Sequence, residues 1–203
     1  STLPTLVDAT GLDLGGIRRR ARRSYEIAAN WKIVVDNYLE CYHCPVAHPG
    51  FCDLIDTSDY TVSEYEWFST QTGKVKEQKE RGQAHPYAIG DGVRDGFYAY
   101  LWPNFTLNIY PGPGNVSLNR FLPLGVDRTL AVYEYCFADT VGEDQVAEFV
   151  RFIDQVQEED IVLCESVQRG MRSGFFERGH LMLTREHALR HFQRLVYRTV
   201  EAR

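Results

Sequence analysis

The 203-residue chain has no apolar run approaching ~18 residues, so no segment of it reads as a transmembrane helix. Its first stretch, STLPTLVDATG, lacks the charged-then-apolar pattern of a secretory leader. A cytoplasmic location is therefore expected, without a membrane partner. Basic residues are outnumbered: 22 Lys and Arg face 28 Asp and Glu, for a net charge of −6. That balance argues against a nucleic-acid partner. Cysteine is sparse and odd in number, five residues with no framework spacing, which suits reduced thiols better than a disulfide scaffold. Internal repeats and low-complexity tracts are missing too. The first residue is Ser rather than Met, so the chain is expected to be a piece of a longer one.

What remains is ordinary globular composition, 44% hydrophobic and 25% charged, with one domain as the default. Residues 1–29 read as a polar, Gly-punctuated linker or N-terminal arm, and residues 30–203 as the folded domain. The RRRARR run at Arg18–Arg23 is expected on a solvated helix face or within that arm. Residues 31–44 read as a helix, ended or kinked near Cys44 because a residue before proline leaves the α region. From Tyr60 to Ala138 the segments YTVSEYEWFSTQTG, GFYAYLWP, FTLNIYPG, NVSLNRFLPLG and RTLAVYEYCFA are rich in β-branched and aromatic residues and bounded by turns. Their short connections predict an antiparallel meander. The polar stretch 74–92 reads as a long loop or flap. Helices follow at 143–172 and 184–202, the second with Thr184 as N-cap and Ala188, Phe192, Leu195, Val196 and Thr199 on one face. The sum is an α+β domain with helices on one side of a sheet.

The segment NWKIVVDNYLECYHCPVAHPGF places Glu40, Cys41, His43, Cys44 and His48 within nine positions. A structural zinc site needs a second ligand pair, and none follows at finger-like distance. His187 and His191 stand four apart in the last helix and read as surface residues. A redox dithiol belongs at a helix start, whereas Cys41 and Cys44 fall at a predicted helix end. A Rieske cluster needs a second Cys-x-x-His loop, which the chain lacks. There remains a mononuclear site of two imidazoles and one carboxylate, the facial triad of Fe(II). On a straight helix, residues five apart point ~140° away from each other, so a kink at Pro45 is required to bring His43 and His48 together. In the helix at 143–172, Val146, Phe149, Val150, Ile153, Cys164 and Val167 form an apolar stripe. Asp160 falls within ~40° of its centre, while Glu158 and Glu159 fall well outside it. A carboxylate on an apolar face calls for a partner or a metal.

These motifs together resemble the catalytic domain of Rieske non-haem iron oxygenases, the ring-hydroxylating oxygenase α-subunits. The likeness rests on NWK, DNYLECYHCPVAHP, QEEDIVLCESVQRG, LWPNFTLNIYPGPG and FLPLGVDRTL. It implies a helix-grip, START-like fold, an antiparallel sheet curled around a long C-terminal helix. It implies His43, His48 and Asp160 as ligands of mononuclear Fe(II). Glu40 takes the position of the carboxylate that links an iron-ligand histidine to the neighbouring subunit's cluster. A Glu there is similar to members acting on glycine betaine, choline and carnitine. The implied enzyme carries a Rieske [2Fe–2S] cluster in an N-terminal domain missing from this chain. It draws electrons from NAD(P)H through a separate reductase, uses O₂ and forms a homotrimer.

Tyr98, Tyr100, Trp102 and Asn108 are the expected substrate-binding residues, with Trp67, Phe105 and Tyr110 as further candidates for a cation–π cage. Three alternatives stay open: an aromatic-ring or methoxy-arene oxygenase, a metal-free helix-grip carrier of an apolar ligand, and a zinc-stabilised interaction domain using Cys41, Cys44, His48 and Cys52.

Overall fold

The computed structural model describes residues 2–77, 87, 89–90, 92–176, 178–182 and 184–202. Its centre is a seven-stranded antiparallel sheet in the order β1-β7-β6-β5-β4-β3-β2. Strands β2 (Ile55–Glu64), β3 (Phe68–Val75), β4 (Gly96–Leu101), β5 (Phe105–Ile109), β6 (Asn115–Gly125) and β7 (Arg128–Ala138) form an antiparallel meander as expected, except that YTVSEYEWFSTQTG, read as one segment, is divided between β2 and β3. Strand β1 (Ile17–Ile27) closes the far edge by pairing with β7.

Period-two alternation gives the sheet two apolar faces. Along β4, Phe97 and Ala99 join Ile109, Val116, Val7 and Leu12 on one side. Tyr98 and Tyr100 face the other, where the 30-residue helix α5 (Glu143–Arg172) supplies Val146, Phe149, Val150 and Ile153. Phe149 meets Tyr110, Tyr135 and Phe137 edge-on at ring distances of 5.2–6.3 Å. The second C-terminal helix, α6 (His187–Glu201), packs Ala188, Leu189 and Phe192 into the same core. This is the expected α+β, helix-grip arrangement.

Several local expectations need correction. Residues before 30 do not form a detached arm. Helix α1 (Leu3–Asp8) packs Val7 on the outer sheet face, and β1 is an integral strand. Arg18–Arg23 therefore lies on an edge strand, where charge blunts edge-to-edge pairing. Four of its five arginines pair with acids of this same chain: Arg18 with Asp139, Arg19 with Glu134, Arg20 with Glu143 and Arg23 with Asp154. Helix α6 begins at His187 rather than at a Thr184 cap. Val167, placed on the apolar stripe of α5, is 49% exposed, and Gln168 is buried instead. The proposed flap at 74–92 starts inside β3 and falls largely outside the described residues. Within it, Tyr87 is buried and donates its hydroxyl to the Pro111 carbonyl at 2.7 Å.

Candidate metal centre

The ligand-rich segment is three short helices rather than one. Helix α2 (Trp31–Tyr38) is started by Asn30, whose side chain accepts from the Lys32 amide at 3.0 Å. It stops before Glu40. Helix α3 (Cys44–Ala47) has Pro45 in its first turn, and α4 (Pro49–Leu54) starts on Pro49. Each proline opens a helix, where its missing N–H costs nothing, instead of kinking a longer one. His43 thereby becomes the residue before α3, and His48 joins α3 to α4 with non-helical φ −121° and ψ 68°.

That break brings the two imidazoles together. Their Nε2 atoms lie 3.1 Å apart. Asp160, from the middle of α5, sets Oδ1 3.0 Å from His48 Nε2 and 3.5 Å from His43 Nε2. Three donors at neighbouring corners of an octahedron, each ~2.1 Å from its centre, stand about 3.0 Å apart. The observed triangle is close to that figure, and the donor set of two imidazoles and one carboxylate suits Fe(II). No second group of three His, Cys, Asp or Glu side chains converges in this way among the described residues.

The outer partners fit the same purpose. His43 Nδ1 is bonded to Glu40 Oε1, whose other oxygen accepts from the Tyr42 and His43 amides. His48 Nδ1 is bonded to Glu159 Oε2 at 2.8 Å. A carboxylate at Nδ1 selects the Nδ1–H tautomer and leaves the Nε2 lone pair for a metal. Asn37 Nδ2 donates to Asp160 Oδ1 at 2.6 Å.

The three donors perturb one another's ionisation. Burial works against a charged His43, but hydrogen bonds to Asp160 and Glu40 outweigh it and lift its pKa to about 9. His48 is raised in the same way, its burial opposed by Asp160 and Glu159. Burial alone would raise the Asp160 carboxyl, yet bonds from His43, His48 and Asn37 hold it below its ordinary value.

These residues line a cavity of about 100 Å³ between α2, α5 and the inner sheet face. Of the four expected substrate residues, Tyr98 and Asn108 reach it. Tyr100 turns away and donates to the Pro103 carbonyl, and Trp102 packs between Trp31 and Phe192. Among the further candidates Tyr110 lines the cavity, whereas Trp67 is 56% exposed. Tyr38, Tyr60 and Tyr133 line it as well. Sequence reasoning missed these three, because which face a strand residue takes is set by register. Sequence reasoning also passed over Glu159. Its position outside the apolar stripe concealed that a long side chain reaches His48 from there.

Room for the tyrosines comes from a glycine pair across β3 and β4, Gly73 opposite Gly96. A Cβ on Gly73 would stand 2.9 Å from the Tyr60 ring, and one on Gly96 would stand 2.3 Å from the Tyr98 hydroxyl. The zinc alternative fails on geometry. Cys41 and Cys44 are joined in a disulfide, against the expectation of reduced thiols, and so neither is available as a thiolate ligand.

Residues 14–202 match the family model of the ring-hydroxylating α-subunit catalytic domain. The chain belongs to this family. Family members similar to this chain include the carnitine monooxygenase oxygenase subunit of Acinetobacter pittii, 32% identical over 89% of this chain and 50% of that protein. The chloroplastic choline monooxygenase of Arabidopsis thaliana is 34% identical over 89% of this chain and 42% of its own length. Among solved structures, a quaternary ammonium Rieske monooxygenase, studied for carnitine oxidation by gut microbiota and inter-subunit electron transfer, superimposes with a TM-score of 0.80. It is 28% identical, over 95% of this chain and 53% of that one. This ring-hydroxylating α-subunit domain thus spans about half the length of the relatives it matches.

Proposed function

We propose that this domain is the oxygen-activating part of a Rieske-type oxygenase acting on a quaternary ammonium compound. The observation that carries the reading is the triangle of His43 Nε2, His48 Nε2 and Asp160 Oδ1, with edges of 3.0–3.5 Å. Fe(II) held by these three atoms would supply reductive activation of O₂, with open positions beside the substrate. The roles of the protein side chains follow from their contacts. Glu40 and Glu159 keep a proton on Nδ1 of each imidazole, and Asn37 orients the Asp160 carboxylate. Tyr60, Tyr98 and Tyr110 form one cluster, with ring distances of 6.3 Å and 5.4 Å. Burial pushes all three phenols up, so they stay neutral and offer π faces to a cation. Hydroxylation of an N-methyl or adjacent carbon would put a hydroxyl on a carbon bonded to the nitrogen; loss of the hydroxyl proton would then form a carbonyl and expel the nitrogen, with the C–N electron pair, as a tertiary amine.

In the whole enzyme, electrons come from NAD(P)H through a reductase and a [2Fe–2S] domain. Glu40 links His43 to the cluster of the next subunit in a homotrimer. Support for that role is the contact of Glu40 with His43 Nδ1, on the side away from the metal position.

The test is anaerobic loading of the chain with Fe(II), followed by the electron paramagnetic resonance signal of its nitric oxide adduct. One iron per chain is expected, with a signal altered by choline, carnitine or glycine betaine. A chain that binds no iron overturns the metal reading. A signal altered only by aromatic acids replaces the substrate with that of a ring-hydroxylating enzyme.

A further inference from the structure

Two primary amides in the cavity wall share one arrangement. Asn119 of β6 is 3% exposed, and its Oδ1 accepts from the Ser117 hydroxyl at 2.6 Å. Gln157 of α5 accepts at Oε1 from the Tyr133 hydroxyl. In each case the amide oxygen is tied back by a hydroxyl of the wall. The Nδ2 of Asn119 and the Nε2 of Gln157 carry no hydrogen bond among the described residues, and both side chains line the cavity. Tyr133 joins the two, since it pairs across the strands with Asn119 and bonds Gln157. Its burial pushes the phenol well above its ordinary value, so it remains a donor.

The other lining amides are already committed. Asn37 serves Asp160, and Asn108 accepts from Tyr38 at 2.5 Å and donates to Thr106 at 3.3 Å. Gln71 donates to the Tyr38 carbonyl at 3.1 Å. Among the described residues, that leaves Asn119 Nδ2 and Gln157 Nε2 facing the cavity and free to donate to what enters it.

We infer that Asn119 and Gln157 hold the oxygen-bearing end of the substrate, a hydroxyl or a carboxylate, through their amide N–H groups. This rests on the quaternary ammonium reading and refines it. The tyrosines take the cationic end, and the two amides select molecules with an acceptor oxygen at the other end. Neutral donors bind an alcohol and a carboxylate alike.

The experiment is calorimetric titration of the chain with three probes: tetramethylammonium, which has no oxygen, choline and glycine betaine. Wild type is expected to bind the last two more tightly than the first. Asn119→Leu and Gln157→Met should each weaken choline and glycine betaine about tenfold, a hydrogen bond's worth, while leaving tetramethylammonium unchanged. Retained tetramethylammonium binding shows that the variant cavity is intact. If Asn119→Leu does not fold, Gln157→Met, on a partly exposed helix face, carries the test. Equal loss for all three probes, or no loss for any, overturns the inference and leaves the quaternary ammonium reading standing. Wild type that binds none of the three overturns that reading itself, and the inference with it.

Discussion

His43 and His48 flank the four-residue helix Cys44–Ala47, and their Nε2 atoms lie 3.1 Å apart. On a continuous helix the two side chains would diverge by ~140°. The proline at the start of α3 and the non-helical backbone at His48 turn them to one side. His43→Ala and His48→Ala should therefore each abolish stoichiometric Fe(II) binding while leaving the far-ultraviolet circular dichroism unchanged. Wild-type iron content in both variants would refute the shared site.

Asp160 and Glu159 are adjacent in sequence but play different parts. Asp160→Asn should remove most of the iron, since it strips a charged donor from the triangle. Glu159→Ala should keep the site but release the His48 ring, weakening metal affinity by roughly 10–100-fold, as is usual for a lost outer partner. Competition with a chelator of known affinity measures both. A Glu159 variant indistinguishable from wild type would show that its bond to His48 Nδ1 is idle.

Glu40 touches His43 on the ring nitrogen opposite the metal position. In the full-length enzyme, Glu40→Gln, whose amide oxygen can still accept from His43 Nδ1, should keep iron and substrate binding and lose most coupled turnover. Comparing iron content with substrate oxidised per NAD(P)H checks this. Iron loss matching His43→Ala would make Glu40 part of the metal shell. Full turnover would limit Glu40 to its hydrogen bonds with His43 and the Tyr42 amide.

Metal uptake should depend on pH with a defined sign. In the metal-free chain the raised pKa of His43, about 9, stabilises the fold fully below the ordinary ~6.5. That contribution is lost as pH rises through about 9. The lowered Asp160 carboxyl adds stability that is present above its ordinary ~3.9 and lost on acidification. Below pH 9 a metal must displace the proton on His43 Nε2, so binding releases protons. Apparent Fe(II) affinity should rise about tenfold per pH unit between pH 7 and 9, for the one proton on His43. Titration in weakly buffered solution should record acid release at pH 7. A flat affinity with no released proton would contradict the raised pKa of His43.

The strand segments from residue 60 to 138, the two late helices and the meander were legible in the sequence, because β-branched alternation and turn residues are local signals. The convergence of His43, His48 and Asp160 was legible in part too, because a carboxylate on an apolar helical stripe is out of place without a partner. Reading Arg18–Arg23 as a strand was beyond local pattern, since its stability comes from pairing with β7 across more than 100 residues of sequence. Glu159 was hidden for a similar reason: helical angle describes where a side chain starts, not how far it reaches. The tyrosines of the cavity, the Gly73 and Gly96 gap that admits them, and the tied-back amides of Asn119 and Gln157 depend on strand register and on how α5 crosses the sheet. Residue types and their spacing determined which chemistry the chain carries. Only the tertiary structure decided which side chains face the cavity and which pack in the core, because that choice belongs to long-range pairing that no single segment encodes.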